Sequence, residues 1–441
     1  MRPLQSLTFE AMIALLSTTF VHLPDGRRSD RVDYSLHDTL MSGFAMMFFQ
    51  HASLLEFQRK MQQRRSRCNL ETIFGVHDVP SDTQMRDILD GVAVEWLRPL
   101  LPALFARMRR AGWAKELTST VSSGEDRGAY YTLMLDGTDY FHSTSVQCPG
   151  CLQRKDSTGQ EHFRHTVVAA TLVKAGSHRV WPLDVEEVRN DDGQEKQDCE
   201  INAAKRLIPR VRQEHPQLPL IIGGDDLYCH EPFIVQLRDQ RMHYVVGCQP
   251  GSHPAVYQEV AAHEALGALE TGQWQEGPAC RRQVYRYRLA RRVPLTASGR
   301  VRGTFVEVWV HNRTGQLLYH NAWFTDLDVR TTNVGQLVGI GRSRWKIENE
   351  QFNVQKNQGY ELTHNYGHGK QTLSMVFYML NLLAFIAHGI LDRGDRLYQR
   401  CIATTSRREL WHTLRTAMRM ILVPSWAQML LLYLDEAHPG P

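Results

Sequence analysis

The segment from residue 371 to 391 constrains the fold most, because it carries no charged side chain across 21 residues. A helix of this length is long enough to cross a lipid bilayer. The segment nevertheless contains Asn381 and His388, and no second segment of this kind occurs in the sequence. Since helices that are apolar on all sides also lie inside large soluble domains, we expect a buried core helix and keep a membrane span as the alternative.

The composition is that of a soluble protein with several domains. The chain has 441 residues, which at roughly 100–200 residues per domain predicts two to four domains. Its 51 Lys and Arg residues only slightly exceed its 47 Asp and Glu residues, so the net charge of +4 does not by itself indicate a nucleic-acid partner. Eight cysteines in this length are not a disulfide framework, and no signal peptide is evident, so we expect a cytoplasmic protein without a membrane partner.

Hydrophobic periodicity divides the first half of the chain in two. Residues 1–125 have the spacing of helices, and Ser81 and Gln84 form a capping-box signature. From 126 to 250 the pattern predicts strands at 131–135, 141–146, 165–173, 218–223 and 242–247, helices at 198–212 and 232–241, and a turn at 191–193. This order predicts a mixed α/β layer rather than a doubly wound repeat.

The second half of the chain interrupts that layer and then returns to helices. Residues 251–320 are predicted to be β-rich, with strands at 284–293 and 304–311. Helices are predicted at 335–356 and, as one continuous element, at 408–432. We therefore expect a β-rich insertion at 251–320 that interrupts the α/β layer, and a C-terminal helical region at 401–441.

The predicted insertion contains an arginine-rich ribbon between residues 281 and 302, which has eight arginines and no acidic residue. Because nothing in the ribbon offsets this charge, we interpret it as a surface for DNA phosphates, with Arg286, Arg288, Arg291 and Arg292 as contacts. The alternative is a solvated edge strand protected by charge. Trp274, Trp309 and Trp323 are expected in the core, with stacking on a flipped base as the alternative.

Three acidic positions have the surroundings of a catalytic site. Asp136 ends an apolar strand, Asp225 follows another, and Glu348 and Glu350 lie among apolar residues on a predicted helix. Carboxylates at strand ends and on a facing helix can converge, and three close carboxylates cannot all stay ionised alone. Two Mg²⁺ or Mn²⁺ ions would neutralise them and create a phosphoryl-transfer site.

The motifs around these acids resemble those of the DDE transposases of bacterial insertion sequences, in the group with a Tyr–Arg–Glu–Lys signature. The resemblance is carried by LDGT at 135–138, GDDLY at 224–228 and RWKIE at 344–348. Segments 69–90, 196–206 and 357–370 are also similar to this group. The similarity covers the chain from about residue 30 to 390.

The resemblance implies both a fold and an activity. The implied fold is an RNase H-like catalytic core formed by 126–250 and 321–400, with the β-rich insertion at 251–320 and an N-terminal helical domain at 1–125 that helps to bind transposon ends. The implied activity is metal-dependent cleavage at terminal inverted repeats of double-stranded DNA, followed by strand transfer into target DNA. We expect a homodimer that pairs two element ends in the nucleoid region of a bacterial cytoplasm. The alternatives are an RNase H-like nuclease without strand transfer and an inactive DNA-binding relic.

The resemblance also implies roles for individual residues. Asp136, Asp225 and Glu348 would be the catalytic Mg²⁺ ligands, and Arg344, four residues before Glu348, would contact DNA. Two positions depart from the signature. The Tyr position holds Gly341, and the Lys falls at 356 rather than 355. Lys356 is the candidate DNA contact, and Glu350 remains an alternative third carboxylate.

A pair of cysteines suggests a second metal site. Cys148 and Cys151 have the Cys-x-x-Cys spacing of half a structural zinc site, and Cys199 is the further ligand that we predict. His162 and His165 follow the pair closely, and reduced structural thiols are the alternative. The histidines at 364 and 368 are expected in a solvated or phosphate-facing loop.

Overall fold

A computed structural model describes residues 6–28, 32–123, 126–190 and 197–437. The turn predicted at 191–193 lies outside these ranges. The described chain is a mixed α/β protein with one large mixed sheet and helices before and after it. The general α/β prediction is therefore confirmed.

The first part of the chain is helical, as predicted. Its helices are α1 (Phe9–Val21), α2 (Leu36–Phe48), α3 (Leu54–Met61), α4 (Arg64–Phe74), α5 (Asp82–Leu89) and α6 (Leu100–Arg110). The predicted cap of α5 is present, because the backbone N–H of Gln84 donates to Ser81 Oγ at 3.2 Å. Apolar faces of these helices enclose a core rich in phenylalanine, including Phe44, Phe48 and Phe74.

The sheet contains eleven strands: β1 (Thr118–Ser123), β2 (Asp126–Ser143), β3 (Leu152–Lys155), β4 (Glu161–Val173), β5 (Trp181–Val188), β6 (Leu220–Gly224), β7 (His243–Gly247), β8 (Glu270–Glu276), β9 (Gln283–Pro294), β10 (Arg302–His311) and β11 (Leu317–Thr325). The spatial order along the sheet is β3-β4-β2-β6-β7-β11-β10-β9-β8, with β1 on β2 and β5 on β4. Helices α7 (Glu200–Glu214) and α8 (Glu231–Asp239) connect β5, β6 and β7. Strands β2, β6 and β7 are parallel, whereas β4 is antiparallel to both β2 and β5.

The prediction of two separate strands at 131–135 and 141–146 is wrong, because β2 runs without interruption from the first into the second and ends at Ser143. Asp136 and Gly137 stay paired with Ala169 and Val168 of β4 instead of turning. A bulge beyond Asp139 shifts the pairing and disturbs the alternation of side chains, which hid the continuity of the strand.

The strands of the predicted insertion extend the same sheet rather than forming a separate one. β11 pairs with β7 in antiparallel fashion, and β10, β9 and β8 follow outward. A further helix, α9 (Pro254–Ala265), precedes β8 and packs on β9. Edge strand β8 is mostly exposed, as its position at the end of the sheet dictates.

Two of the predicted later helices are divided in the structure. The helix predicted at 335–356 is α10 (Val334–Arg342), a π-helical turn (Ile347–Phe352) and α11 (Asn353–Asn357). The helix predicted at 408–432 is α14 (Arg407–Met420) and α15 (Trp426–Ala437), because Pro424 cannot continue a helix. The remaining helix of this region is α13 (Arg396–Thr404).

The uncharged segment is a core helix, α12 (Leu373–Gly394). It is the one described helix long and apolar enough to cross a membrane, and 89% of its most apolar stretch is buried inside the protein. Its polar side chains have internal partners: Asn381 Nδ2 donates to Tyr360 O at 2.8 Å, and His388 Nε2 lies 3.0 Å from Phe48 O. These contacts favour the prediction of a core helix over a membrane span.

Candidate functional site

The register of the central strands brings two of the predicted carboxylates together. Tyr131 to Met134 of β2 pair in parallel with Leu220 to Gly223 of β6. Continuing this register by two residues sets Asp136 opposite Asp225, on strands that lie about 4.8 Å apart. Local hydrogen bonds orient both side chains, since Asp136 accepts from the N–H of Gly137 and Asp225 from the N–H of Leu227, each at 3.0 Å.

Gly247 of β7 determines where the backbone of Asp225 lies. A Cβ atom at this glycine would lie 2.9 Å from the amide nitrogen of Asp226 and 3.1 Å from the carbonyl carbon of Asp225. These are backbone atoms, which cannot move aside without displacing the turn. The absence of a side chain at 247 therefore permits the position of Asp225.

Glu348 comes from the π-helical turn, which packs against β2. Gln351 of the same turn accepts a hydrogen bond from Thr171 Oγ1 of β4 at 2.5 Å, and this contact anchors the turn to the sheet. Single π-helical turns are frequent at functional sites. Glu350 faces elsewhere, because its Oε1 lies 2.9 Å from His178 Nδ1. The local geometry thus favours Glu348 over Glu350 as the third carboxylate.

The charges of these residues act on one another. Burial raises the pKa of the Asp136 carboxyl to about 6, although the neighbouring Arg344 opposes the shift. The negative charges of Asp225 and Glu348 raise this pKa further. Since Asp225 and Glu348 are exposed and Asp136 is only partly so, the cluster is accessible to ligands from solvent.

Glu200 is a fourth carboxylate at this site, which the sequence analysis missed. It is the first residue of α7, and its carboxyl group packs on Gly137, where a Cβ would lie 2.3 Å from its Cδ. Burial and the charges of Asp136 and Asp225 raise the pKa of Glu200. Its place in the motif at 196–206 was a signal that could have identified it. We call Asp136, Glu200, Asp225 and Glu348 the acidic cluster.

The two predicted basic residues also lie at the acidic cluster. Arg344 Nη1 is 3.2 Å from Asp136 Oδ2. Burial lowers the pKa of Lys356, and the negative charges of Asp139, Glu348 and Asp136 oppose this shift. The ammonium group is therefore close enough to these carboxylates to interact with them.

The π-helical turn alters the spacing between Glu348 and Lys356. A π turn bonds residue i to i+5 instead of i+4 and so takes up one extra residue. A lysine eight residues after Glu348 can therefore occupy the helix face that seven residues would reach on a regular helix. Position 355 is instead filled by a fully buried glutamine, whose Nε2 donates to Asn381 Oδ1 at 3.1 Å.

Gly341, at the position where the signature has a tyrosine, lies against the indole ring of Trp323. A Cβ at Gly341 would lie 2.4 Å from the indole of Trp323, so no larger residue fits at this position while the tryptophan is there. Trp323 itself is buried, as expected for a core residue. Trp274 and Trp309 stack on Tyr285 and His320, with ring centroids 4.7 and 5.1 Å apart.

The acidic cluster differs from a preformed metal cage. Among the described residues, the oxygens of Asp136, Asp225 and Glu348 do not all lie within 4.8 Å of one another, as the ligand atoms of a compact chelating group do. The cluster nevertheless combines like-charged carboxylates with a raised pKa at Asp136, which is the electrostatic setting that a divalent cation relieves. The oxygen ligands suit Mg²⁺ or Mn²⁺.

The arginine-rich ribbon is β9 and the turn after it, and its charge is partly neutralised. Arg288 Nε lies 2.6 Å from Glu307 Oε2, and Arg291 Nη1 lies 3.0 Å from Glu270 Oε1. The assumption that no acid offsets the ribbon is therefore wrong for these two residues, because the neighbouring strands β10 and β8 supply carboxylates that the local sequence does not contain. Arg286 and Arg292 are exposed, and neither forms an ion pair with any part of the chain that the structure describes.

The predicted cysteine pair belongs to a cluster of four side chains, but the other two members are not both the ones expected. Cys148, Cys151, His165 and His368 have their ligand atoms within 4.8 Å of one another. We call these four residues the Cys/His cluster. The prediction that Cys148 and Cys151 belong to a possible metal-binding group is thus confirmed, and two histidines complete the group.

Cys199 is not part of the Cys/His cluster, so its predicted role is wrong. It is the N-cap residue of α7, where its backbone carbonyl begins the helix. His162 is also outside the cluster, because residues three apart on a strand point to opposite faces, and it pairs with Asp156 at 3.0 Å. His368 was expected in an open loop but is buried.

A second group of metal-ligating side chains consists of Cys229, Cys248 and His253, all buried. His253 Nε2 lies 3.1 Å from Asp226 Oδ1, so the imidazole already has an acidic neighbour. This trio lies beside the turn that carries Asp225. It has three ligating side chains, compared with four in the Cys/His cluster.

Comparison with models of protein families gave no match, and neither did comparison with curated proteins.

Proposed function

We propose that this chain is a DDE-type transposase of an insertion sequence, which cleaves DNA at the element ends and joins them to a target. The observation that carries the proposal is the convergence of Asp136, Asp225 and Glu348. These residues come from β2, from the turn after β6 and from the π-helical turn, yet the charges of the other two act on the carboxyl group of Asp136. Three carboxylates that lie close together repel one another and destabilise the fold when no cation is bound. Their proximity is therefore better explained by cation binding than by the stability of the fold.

The arrangement of the central strands supports an RNase H-like core. In the order β5-β4-β2-β6-β7, three antiparallel strands continue into a parallel pair, with α7 and α8 as connections. Asp136 lies on the middle strand, and Asp225 follows its parallel neighbour. The carboxyl ends of parallel strands are the usual location of functional groups in such sheets.

Asp136, Asp225 and Glu348 would hold two Mg²⁺ or Mn²⁺ ions. Bound there, divalent cations would activate the attacking water or 3′-hydroxyl and offset the charge on the phosphodiester. The carboxylates fit this role because they are hard oxygen donors, are open to solvent, and repel one another in the absence of a cation.

The basic residues beside the cluster would bind the DNA backbone. The guanidinium group of Arg344 is partly exposed and could donate two parallel hydrogen bonds to a phosphate. Lys356 would add a single positive charge on the same side of the π-helical turn. Together they would position a phosphodiester over the carboxylates, and positioning is a major part of catalysis in phosphoryl transfer.

Double-stranded DNA and a second copy of the chain are the proposed partners. Arg286 and Arg292 are the strongest ribbon candidates for phosphate contacts, since their charges are not used within the described chain. Replacing each with alanine should reduce the slope of log affinity against log salt by about 0.9. Arg291→Ala is the matched control, because this arginine is already paired with Glu270, and binding measured across a salt series should change less.

The test of the activity uses the full chain, Mg²⁺ and linear DNA that carries the sequences flanking its gene. We expect nicks that free 3′-hydroxyls at the element ends and then joined products, with neither formed by Asp136→Ala. Nicking without joining would replace the transposase proposal by a nuclease, and DNA binding without nicking would replace it by an inactive relic.

A further inference from the structure

The Cys/His cluster has the dimensions of a tetrahedral metal site. With Zn–S bonds of about 2.3 Å and Zn–N bonds of about 2.05 Å, a tetrahedron has S–S, S–N and N–N edges of roughly 3.8, 3.6 and 3.3 Å. The Cys148 and Cys151 sulfurs are 3.8 Å apart, and His165 Nε2 lies 3.6 and 3.4 Å from them. His368 Nε2 lies 3.3 Å from Cys151 Sγ and 3.0 Å from His165 Nε2.

The chemistry of this cluster favours a metal over a disulfide. The sulfur separation of 3.8 Å is far beyond the bond length of about 2.05 Å in a disulfide. Cys151, His165 and His368 are buried and Cys148 is partly exposed, so four donor atoms of the soft and borderline type meet in a largely buried space. Two thiolates and two imidazoles are a common ligand set of structural zinc.

The second nitrogen of each histidine lies beside an oxygen atom, as is usual for metal-ligating histidines. His165 presents Nε2 to the cluster while its Nδ1 lies 3.1 Å from Glu187 Oε1. The same carboxylate oxygen accepts a hydrogen bond from Tyr140 Oη at 2.6 Å. His368 presents Nε2 as well, with its Nδ1 2.8 Å from the carbonyl oxygen of Gly369. Carboxylate and carbonyl partners of this kind fix the tautomer and orientation of metal-ligating imidazoles.

The four ligands come from three parts of the chain, and the segment with His368 is not a strand of the sheet that carries the other three. The cysteines lie in the loop after β2, His165 is on β4, and His368 lies between the π-helical turn and α12. The segment that carries His368 is also held at its far end, where Asp90 accepts from the N–H groups of residues 370–373.

We propose that Cys148, Cys151, His165 and His368 bind one zinc ion in a closed structural site. The ion fastens the strand that carries Asp136 to the segment that follows the Glu348 turn. Four protein ligands leave no open position, so the ion braces the fold and takes no part in chemistry. This site does not depend on the proposed transposase activity, and either proposal can fail alone.

The test measures metal content and ligand identity in the purified full chain under reducing conditions. We expect one zinc per chain, retained on gel filtration, and its loss in Cys151→Ser. Cys280→Ser is the matched control, because this thiol is exposed and outside both cysteine-containing groups. Cobalt exchanged for zinc should show the intense visible bands of a tetrahedral ion together with thiolate charge-transfer bands.

A second variant keeps the proposal testable if Cys151→Ser does not fold. His368→Cys preserves four ligands, so it should retain the metal while its cobalt spectrum gains thiolate charge-transfer intensity. A chain that is purified without zinc and takes up no cobalt would overturn the proposal. Full zinc content in Cys151→Ser or an unchanged cobalt spectrum in His368→Cys would also overturn it. Loss of zinc in Cys229→Ser but not in Cys151→Ser would instead assign the ion to the group of Cys229, Cys248 and His253.

Discussion

The acidic cluster and the Cys/His cluster both adjoin β2, but they are built in opposite ways. Asp136 and Phe141, which contacts His368, are separated by roughly 15 Å along β2. The acidic cluster is open, has hard oxygen donors and is electrostatically strained by like charges. The Cys/His cluster is closed, has soft and borderline donors and nearly tetrahedral distances.

This difference shows how a fold can separate a site for chemistry from a site for stability. An open group of carboxylates can exchange cations and admit a phosphodiester, whereas a buried group with four ligands can do neither. The protonation of the metal-free sites differs too. Burial raises the pKa of Asp136, whereas hydrogen bonding to Cys151 and the two histidines lowers the pKa of Cys148.

Metal removal should give the largest difference between the two clusters. Brief treatment with EDTA should abolish DNA cleavage reversibly, with Mg²⁺ restoring it and zinc content unchanged. Removal of zinc should require unfolding or prolonged chelation and should lower the melting temperature by roughly 10 °C, because binding to a structural site contributes to folding energy. Equal lability of both metals, measured by elemental analysis alongside cleavage, would remove the distinction.

The two acids of the π-helical turn should differ by orders of magnitude in activity. Glu348→Gln should reduce the rate of DNA cleavage by about 10³-fold or more, which corresponds to roughly 4 kcal/mol of transition-state stabilisation. Glu350→Gln should change this rate only slightly, because Glu350 pairs with His178. A larger loss in Glu350→Gln, measured by single-turnover cleavage with zinc content as the control for folding, would exchange their roles.

The position of Asp225 should depend on Gly247. An alanine at 247 must displace the backbone of the turn, and a shift of about 1 Å should slow cleavage by about 10- to 100-fold. Gly251→Ala is the matched control, since a Cβ there has no atom within 4 Å. Cleavage at the wild-type rate in Gly247→Ala would mean that the turn tolerates the shift or that Asp225 has no catalytic role.

Asp136→Asn should stabilise the metal-free protein while it abolishes cleavage. The folded-state pKa of Asp136 is raised to about 6 from 3.8, so the folded state loses stability as the pH rises through this interval. The substitution should therefore raise stability at pH 7 by about 1–3 kcal/mol and have little effect at pH 4. Thermal melts in EDTA measure the gain, and a loss of stability at pH 7 would contradict the destabilisation that burial and the neighbouring carboxylates impose on the charged form of Asp136.

The acidic cluster could largely be predicted from the sequence, because its motifs are local. An aspartate that ends an apolar run, and an arginine four residues before a glutamate, can be recognised in short windows. Glu200 lies in the similar segment at 196–206, but its closeness to Asp136 could not be read from the sequence, because it depends on where the first residue of α7 lies in the fold. The π-helical turn was also hidden, since a helix with one extra residue has almost the same pattern as a regular one.

The Cys/His cluster could be predicted only in part. Cys148 and Cys151 are a local signal, but His368 lies far along the chain and joins them only through the packing of α12 on the sheet. Strand alternation could have excluded His162 once the extent of β4 was known. The charges of Arg288 and Arg291 are neutralised by acids on adjacent strands. This could be predicted only from the register of β8, β9 and β10, which a single sequence does not reveal.

The most direct test of the account asks whether Asp136, Asp225 and Glu348 share one cation pocket. Fe²⁺ can replace Mg²⁺ and, with ascorbate and peroxide, cleaves the polypeptide backbone beside the bound ion, so the fragments identify its neighbours. The account predicts cuts near all three residues, competed by Mg²⁺ and absent in Glu348→Gln. Cuts near only one of them, or a pattern that Mg²⁺ does not suppress, would contradict a shared site.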